Sequence, residues 1–333
     1  MDFLDIGLAS IGFLTLHEKF LLKKNIDTLE QLAVLSIEDI SRIVGRNIRR
    51  AIWDGRETAV QVQKSATLME KQRICAIRYG SEAYPALLKE IPDAPYMFFY
   101  RGDMQVLAKN CVSVVGTRNI CQECAQATLA FTKSAAMDGL TVVSGNANGI
   151  DAFAHRGALS SGVSGSTAAI LPCGIDTIVP VGHKVLVQKI LEAGGLLASE
   201  YIPGCPAEAW RFVQRNRIIA ALSAATVVMQ APPGSGALIT ASFALDYNRE
   251  LLFHQSGFCK AALRINEDTV AKLKLRKGGE KKLKIDSGHY LEAGAPLISD
   301  YAEFKAACAD APGTHTYSKI RTLRVRGREE QNG

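Results

Sequence analysis

The 333-residue chain has no apolar run approaching the roughly 20 residues that a membrane-crossing helix needs, so no membrane span is expected. Nor does it open on a basic segment. MDFLDIGLAS carries acids ahead of any lysine, which argues against a secretory leader and makes the cytoplasm the default compartment. The eight cysteines lack the dense spacing of a disulfide framework, and several, such as Cys111 and Cys173, lie in strand-like apolar runs; they read as reduced core thiols. Cys121-x-x-Cys124 has no second CxxC and no His-x-His nearby, so no metal is expected there. No Gly-x-Ser-x-Gly elbow stands at a strand end, so no hydrolase nucleophile is presented.

What the chain does have is apolar material and a modest positive balance. Hydrophobic residues make up 47%, enough for one large domain and a small one, and the net charge of +6 tilts mildly toward polyanions. The organising stretch is Thr141 to Ala158, TVVSGNANGIDAFAHRGA. A β-branched run breaks at Ser144-Gly145, reaches Gly149 and resumes at helical spacing through Ile150, Phe153, Ala154 and Ala158. A strand, a glycine turn and a helix start aim backbone N–H groups and a positive helix end at one point, which suits phosphate. Its spacing matches neither the dinucleotide fingerprint G-x-G-x-x-G nor the P-loop, so a plain strand–helix connection is the competing reading.

Residues 1–66 read as a small all-helical domain with apolar residues at helical intervals, Ser36 with Asp39 resembling an N-cap and its acidic partner. Gly7, Gly12 and Gly45 are compatible with helix-hairpin-helix turns or with a structural cap. From residue 73 strand and proline-punctuated turn alternate. From Cys111 the pattern is strand, loop, helix, repeated: strands at 111–116, 140–145, 167–174, 195–200, 225–231 and 251–253. Near-continuous apolar strands separated by helices predict an α/β fold, a Rossmann-like, mostly parallel sheet with helices on both faces over residues 67–308. Right-handed crossovers gather the loops at one edge. Arg118, Ser144, Gly145, Ser235 and Gly236 then converge as parts of an anion site without an acid, base or nucleophile. Phe212, Arg215, Asn216 and Arg217 combine a ring with two guanidiniums, the kit for single-stranded nucleic acid, although a solvated helix start with Phe212 in the core has the same composition. Asp151 and His155 share a helix face at i, i+4; the expectation is a helix-start acid and a histidine bonded within its helix rather than an acid–base pair.

At these residues the chain resembles the DNA-processing protein A family, also called DprA or Smf, as a divergent member. The resemblance covers roughly 1–308 and rests on YPALLKEIPDAP (84–95), VVGTR (114–118), VVSGNANGIDAFAHRGAL (142–159), FVQRNRIIAALS (212–223) and SGALITASFAL (235–245) in that order. It implies an extended Rossmann-like fold, a homodimer, single-stranded DNA binding and loading of the recombinase RecA in natural transformation, with no enzymatic activity and no cofactor. Carried over by position, a phosphate pocket would be lined by Arg118, Ser144, Gly145, Gly149, Ser235 and Gly236, with Phe212, Arg215, Asn216 and Arg217 at the DNA groove and Lys184 adding charge. The chain departs from the family at Asn148, where a cation is usual, at Cys121, Cys124 and Gln230, and at Val179-Pro180 with His183. The alternatives are a nucleotide-binding enzyme of the LOG phosphoribohydrolase type, whose glutamate is missing after Pro233-Gly234-Ser235-Gly236, and a nucleotide-sensing module.

The segment 258–286 carries Lys260, Arg264, Lys272, Lys274, Arg276, Lys277, Lys281, Lys282 and Lys284 and reads as a basic insertion, either a solvated hairpin or helix pair or a DNA-facing patch. Residues 309–333 read as a basic mobile tail with no room for the winged helix that many relatives add.

Overall fold

Nine strands form one sheet in the order β1-β2-β6-β5-β4-β3-β7-β8-β9 in the computed structural model, which describes residues 2–275, 283 and 285–310. In chain order the strands are β1 (Cys75–Arg78), β2 (Met97–Gly102), β3 (Cys111–Val115), β4 (Thr141–Ser144), β5 (Thr167–Ile170), β6 (Leu196–Ser199), β7 (Ala225–Val228), β8 (Glu250–His254) and β9 (Leu297–Ile298). Pairing is parallel from β6 through β9, and β1 and β2 close the other edge antiparallel. The sheet is therefore mostly parallel and Rossmann-like. Its central strands show no polar alternation because both faces are covered: every residue of β3, β4, β5 and β7 is buried.

Five helices precede the sheet: α1 (Phe3–Ser10), α2 (Leu16–Asn25), α3 (Leu29–Val34), α4 (Ile37–Val44) and α5 (Gly55–Gln72). The N-termini of α2, α3 and α4 are closed by capping boxes, Thr15 with Glu18, Thr28 with Gln31 and Ser36 with Asp39. These side chains satisfy backbone donors that short helices otherwise leave to water. The helix α5 runs past residue 66. Leu4, Ile6, Leu8, Leu22, Leu32 and Ile40 share one apolar cluster with Met97, Phe99 and Leu197 of the sheet.

The remaining helices are α6 (Ala86–Lys89), α7 (Gln122–Met137), α8 (Ile150–Leu159), α9 (Lys184–Glu192), α10 (Ala209–Ala221), α11 (Gly236–Asp246), α12 (Lys260–Lys274), α13 (Ser287–Glu292) and α14 (Tyr301–Asp310). Alternate residues of the strands feed two layers. Val112, Val114 and Val142 pack with Phe131, Ile150 and Ala154 of α7 and α8. Val115, Val143 and Ile170 pack with Ile218, Ile219, Ala237 and Leu238 of α10 and α11. The strand β9 and helix α14 have no counterpart in the sequence reading, since a two-residue strand gives no periodicity to detect. The first half of the basic segment is the helix α12. Arg276, Lys277, Lys281, Lys282 and Lys284, and the tail 311–333, lie outside the described residues.

Candidate nucleic-acid interface

The chain builds β3 to β6 outward on one side and then returns to lay β7 against the other side of β3. The point where strand order reverses is where α/β sheets open a crevice beyond their carboxyl ends. Here its walls are the turn after β3, which holds Gly116, Thr117 and Arg118, and the turn after β7, which holds Ser235 and Gly236. The two turns are tied: the Thr117 N–H donates to the Gln230 carbonyl at 2.8 Å, and the Cys121 N–H donates to Gln230 Oε1 at 3.3 Å. Gln230, one of the departures from the family pattern, thus clamps the turn that carries Arg118.

The turn after β4 closes the floor. Gly149 has φ +78° and ψ −133°, and a Cβ there would lie 2.2 Å from the Thr117 carbonyl oxygen. Only glycine allows the β4 turn to nest so closely under the β3 turn. The Ile150 N–H donates to the Thr117 carbonyl at 3.2 Å. The side chain of Asp151 accepts from the Ala147 N–H at 3.2 Å and so fixes the intervening loop. Asn146, at φ +57°, donates from Nδ2 to the Val179 carbonyl, and His183 Nδ1 lies 2.9 Å from the Asn146 carbonyl oxygen. His183 is therefore a support of the loop, which the sequence reading had registered only as a departure.

The structure brings Arg118 and Phe212 together. Arg118 is exposed, and its guanidinium stands 5.1 Å from the centre of the half-buried Phe212 ring. This contact joins the β3 turn to α10 across the crevice. Two helices start beside it without a side-chain cap of their own, α8 after Gly149 and α11 after Ser235. Their first N–H groups and positive ends are suited to anions. The Ser235 hydroxyl is buried and has no hydrogen-bond partner among the described residues. Asn216 donates from Nδ2 to the Gly236 carbonyl at 3.1 Å and ties α10 to the start of α11. Lys184 and Asn148 are exposed, Lys184 on the first turn of α9.

Three of the expected ligands have other work. Ser144 donates its hydroxyl to the Val114 carbonyl at 2.7 Å, so it ties β4 to β3. Arg215 is 3% exposed, and its Nη1 donates to the Gly145 carbonyl at 2.5 Å and to the Ile170 carbonyl. It lies beneath the crevice, not at its surface. Burial, the chief cause, pushes its pKa down to about 10 against the charge of Asp151, so it stays a cation at neutral pH. Arg217 is 5% exposed and is held by Glu200 at 2.5 Å and Asp93 at 3.0 Å. It points away from the crevice, toward a cavity of about 820 Å³ between the N-terminal helices and α10. Spacing alone could not separate these arginines from Arg118: a helix turns its side chains through the core as well as over the surface.

Asp151 and His155 are not an acid–base pair. His155 is fully buried, and its Nδ1 lies 2.7 Å from Thr167 Oγ1 on β5, not within its own helix. Burial, with smaller contributions from His183 and Arg215, lowers its pKa from 6.5 to about 3. A depressed histidine leaves the folded state with fewer protons than the unfolded one. Its stability contribution is complete above pH 6.5 and is lost as pH falls toward 3, at up to about 1.4 kcal/mol per unit. His155→Gln should therefore flatten the loss of stability between pH 6.5 and 4.5 by roughly 2–3 kcal/mol at most, read from urea unfolding across that range. An unchanged acid limb would assign the loss to other groups.

Residues 75–273 match the model of the family described as DNA recombination-mediator protein A. Protein Smf of Borreliella burgdorferi is 32% identical over 250 residues, covering 75% of this chain and 78% of that one. The X-ray structure of DNA processing protein A from Streptococcus pneumoniae superposes with a TM-score of 0.67 at 28% identity, over 90% of this chain and 95% of that one. A structure of the Helicobacter pylori protein, described for its single-stranded DNA binding mode, gives 0.50 at 28% identity, over 55% of this chain and 80% of that one. With the match spanning the crevice, its turns and the sheet that carries them, this chain belongs to the DNA recombination-mediator protein A family, that of DprA and Smf.

Proposed function

We propose that the chain binds single-stranded DNA along the carboxyl edge of its sheet and, as a homodimer, loads the recombinase RecA onto it during transformation and recombination. The observation that carries the DNA reading is the Arg118–Phe212 pair at the crevice, next to two uncapped helix starts. A base stacks on the ring while the guanidinium and the helix ends take the phosphates, so binding depends on backbone charge and on any base's π-face rather than on sequence. Family membership and the single-stranded DNA binding described for the Helicobacter pylori protein support the same reading. Lys184 and the Gly236 turn extend the proposed track. Arg215 and Ser144 act in it as scaffold.

The test is anisotropy of a labelled oligo-dT, and of the matching duplex, at two salt concentrations. Arg118→Ala is expected to weaken oligo-dT binding and to lower the salt slope by about one unit, with melting unchanged because the side chain is exposed. Phe212→Ala is expected to cost about 1–3 kcal/mol, roughly 5- to 150-fold in Kd, without the change in slope. If both variants bind as the parent does, the crevice is not the DNA site. Incubation with AMP covers the enzymatic alternative, and released adenine would overturn the binding-protein reading.

A further inference from the structure

Cys121-x-x-Cys124 gains a third cysteine from 138 residues downstream. Cys121 caps α7 and Cys124 lies on its first turn, while Cys259 caps α12. The three sulfurs lie within 4.8 Å of one another, and Cys121 Sγ is 3.7 Å from Cys259 Sγ. Cys121 and Cys124 are buried and Cys259 is half-buried. We propose that Cys121, Cys124 and Cys259 form a binding site for a thiophilic divalent cation of the zinc class.

The sulfur separations approach those of a tetrahedral thiolate centre. Bonds of about 2.3 Å at the tetrahedral angle set neighbouring sulfurs about 3.8 Å apart. The Cys121–Cys259 separation already has that value, and the other two edges need to shorten by about 1 Å at most. The two-residue spacer between Cys121 and Cys124 is a familiar zinc chelate, and a third ligand from a distant segment completes the usual protein share of an open site. Solvent takes the fourth position on the side of half-buried Cys259. Two backbone N–H groups face the sulfurs, and the Cys124 thiol donates to the Ser256 carbonyl at 3.0 Å, a bond that metal binding would replace. The Cys124 N–H donates to Cys121 Sγ and the Ala262 N–H to Cys259 Sγ, each at 3.4 Å, at the positive starts of two helices. Binding sends three thiol protons to water and leaves a dipositive ion among three thiolates. Sulfur ligands select zinc over magnesium or calcium. The bound ion would staple the β3 turn, three residues beyond Arg118, to the start of α12. This inference stands on the cysteines alone and holds or fails independently of DNA binding.

The test uses the full-length, reduced chain under anaerobic conditions with cobalt(II) as the probe. One equivalent of cobalt per chain is expected, with thiolate-to-cobalt charge transfer and the strong ligand-field bands of a tetrahedral site, and zinc should displace it. Cys259→Ser is expected to weaken cobalt uptake by at least about tenfold and to lose the rise in Tm that excess zinc gives the parent. Serine keeps the N-cap of α12, so the variant folds. Cys75→Ser, an exposed thiol on β1 at the far edge of the sheet, should bind cobalt like the parent. Absence of the charge-transfer band in the reduced parent overturns the site. So does an undiminished band in Cys259→Ser, or a Cys121–Cys259 disulfide forming in a chain that takes up no metal when reduced.

Discussion

Arg215→Met is expected to melt about 10 °C below the parent. The guanidinium is buried, carries its charge at neutral pH, and holds the Gly145 and Ile170 carbonyls. Those carbonyls end β4 and β5, so one side chain fastens two neighbouring strand ends to α10. Removing it strands the buried Asp151 carboxylate as well. Leaving a buried acceptor unpaired costs about 1–3 kcal/mol, here at two carbonyls, and each kcal/mol moves the Tm of a large domain by about 2–4 °C. The double variant Arg215→Met with Asp151→Asn should recover part of the loss, because no uncompensated charge is left. Thermal melts of the parent, the two single variants and the double variant measure the coupling. Arg215→Met that melts within a degree of the parent while losing oligo-dT would make Arg215 a direct ligand, contrary to its position beneath the crevice.

Gly149→Val is expected to be about as damaging, by a different route. The backbone at φ +78° and ψ −133° is strained for any residue with a Cβ, and the added atom would meet the Thr117 carbonyl oxygen at 2.2 Å. The β4 turn must withdraw from the β3 turn, breaking the Ile150 N–H bond to Thr117 and moving Arg118. The cost should reach about 3 kcal/mol or more, with oligo-dT binding lost beyond what the fraction unfolded explains. Gly236→Ala is the control. A Cβ there finds nothing nearer than Asn216 Nδ2 at 3.7 Å, and alanine suits a helix start better than glycine, so stability should hold or rise slightly. Equal melting of Gly149→Val and Gly236→Ala would show that the two turns have room to spare.

The parallel sheet was legible because its strands are uninterrupted apolar runs at regular intervals, with a helix-length segment between each and the next. Those runs also placed the turns at Arg118, Gly149 and Ser235, since a glycine after a β-branched segment is a local signal. Depth was not legible. Phe212, Arg215 and Arg217 stand within six residues, yet one faces the crevice, one lies under it and one faces a cavity on the other side of α10. Their fates depend on partners far along the chain: Gly145 and Ile170 for Arg215, Asp93 and Glu200 for Arg217. Composition of a short window carries none of that. The same limit hid Cys259 from Cys121 and Cys124. His155 shows the opposite error: it was expected to bond within its own helix, and its partner sits on a neighbouring strand.

Laying β7 against β3 has a temporal consequence for a chain made from its N-terminus. Strands β3 to β6 can dock on one another as they emerge, but one wall of the crevice is more than a hundred residues away along the chain. Until residues 225–236 have been synthesised, β3 has a bare flank and the turn that carries Arg118 lacks its tie to Gln230. Nascent or truncated forms ending before β7 should thus present an open, adhesive sheet margin without the complete groove, and the proposed DNA-binding surface is completed only once β7 has docked.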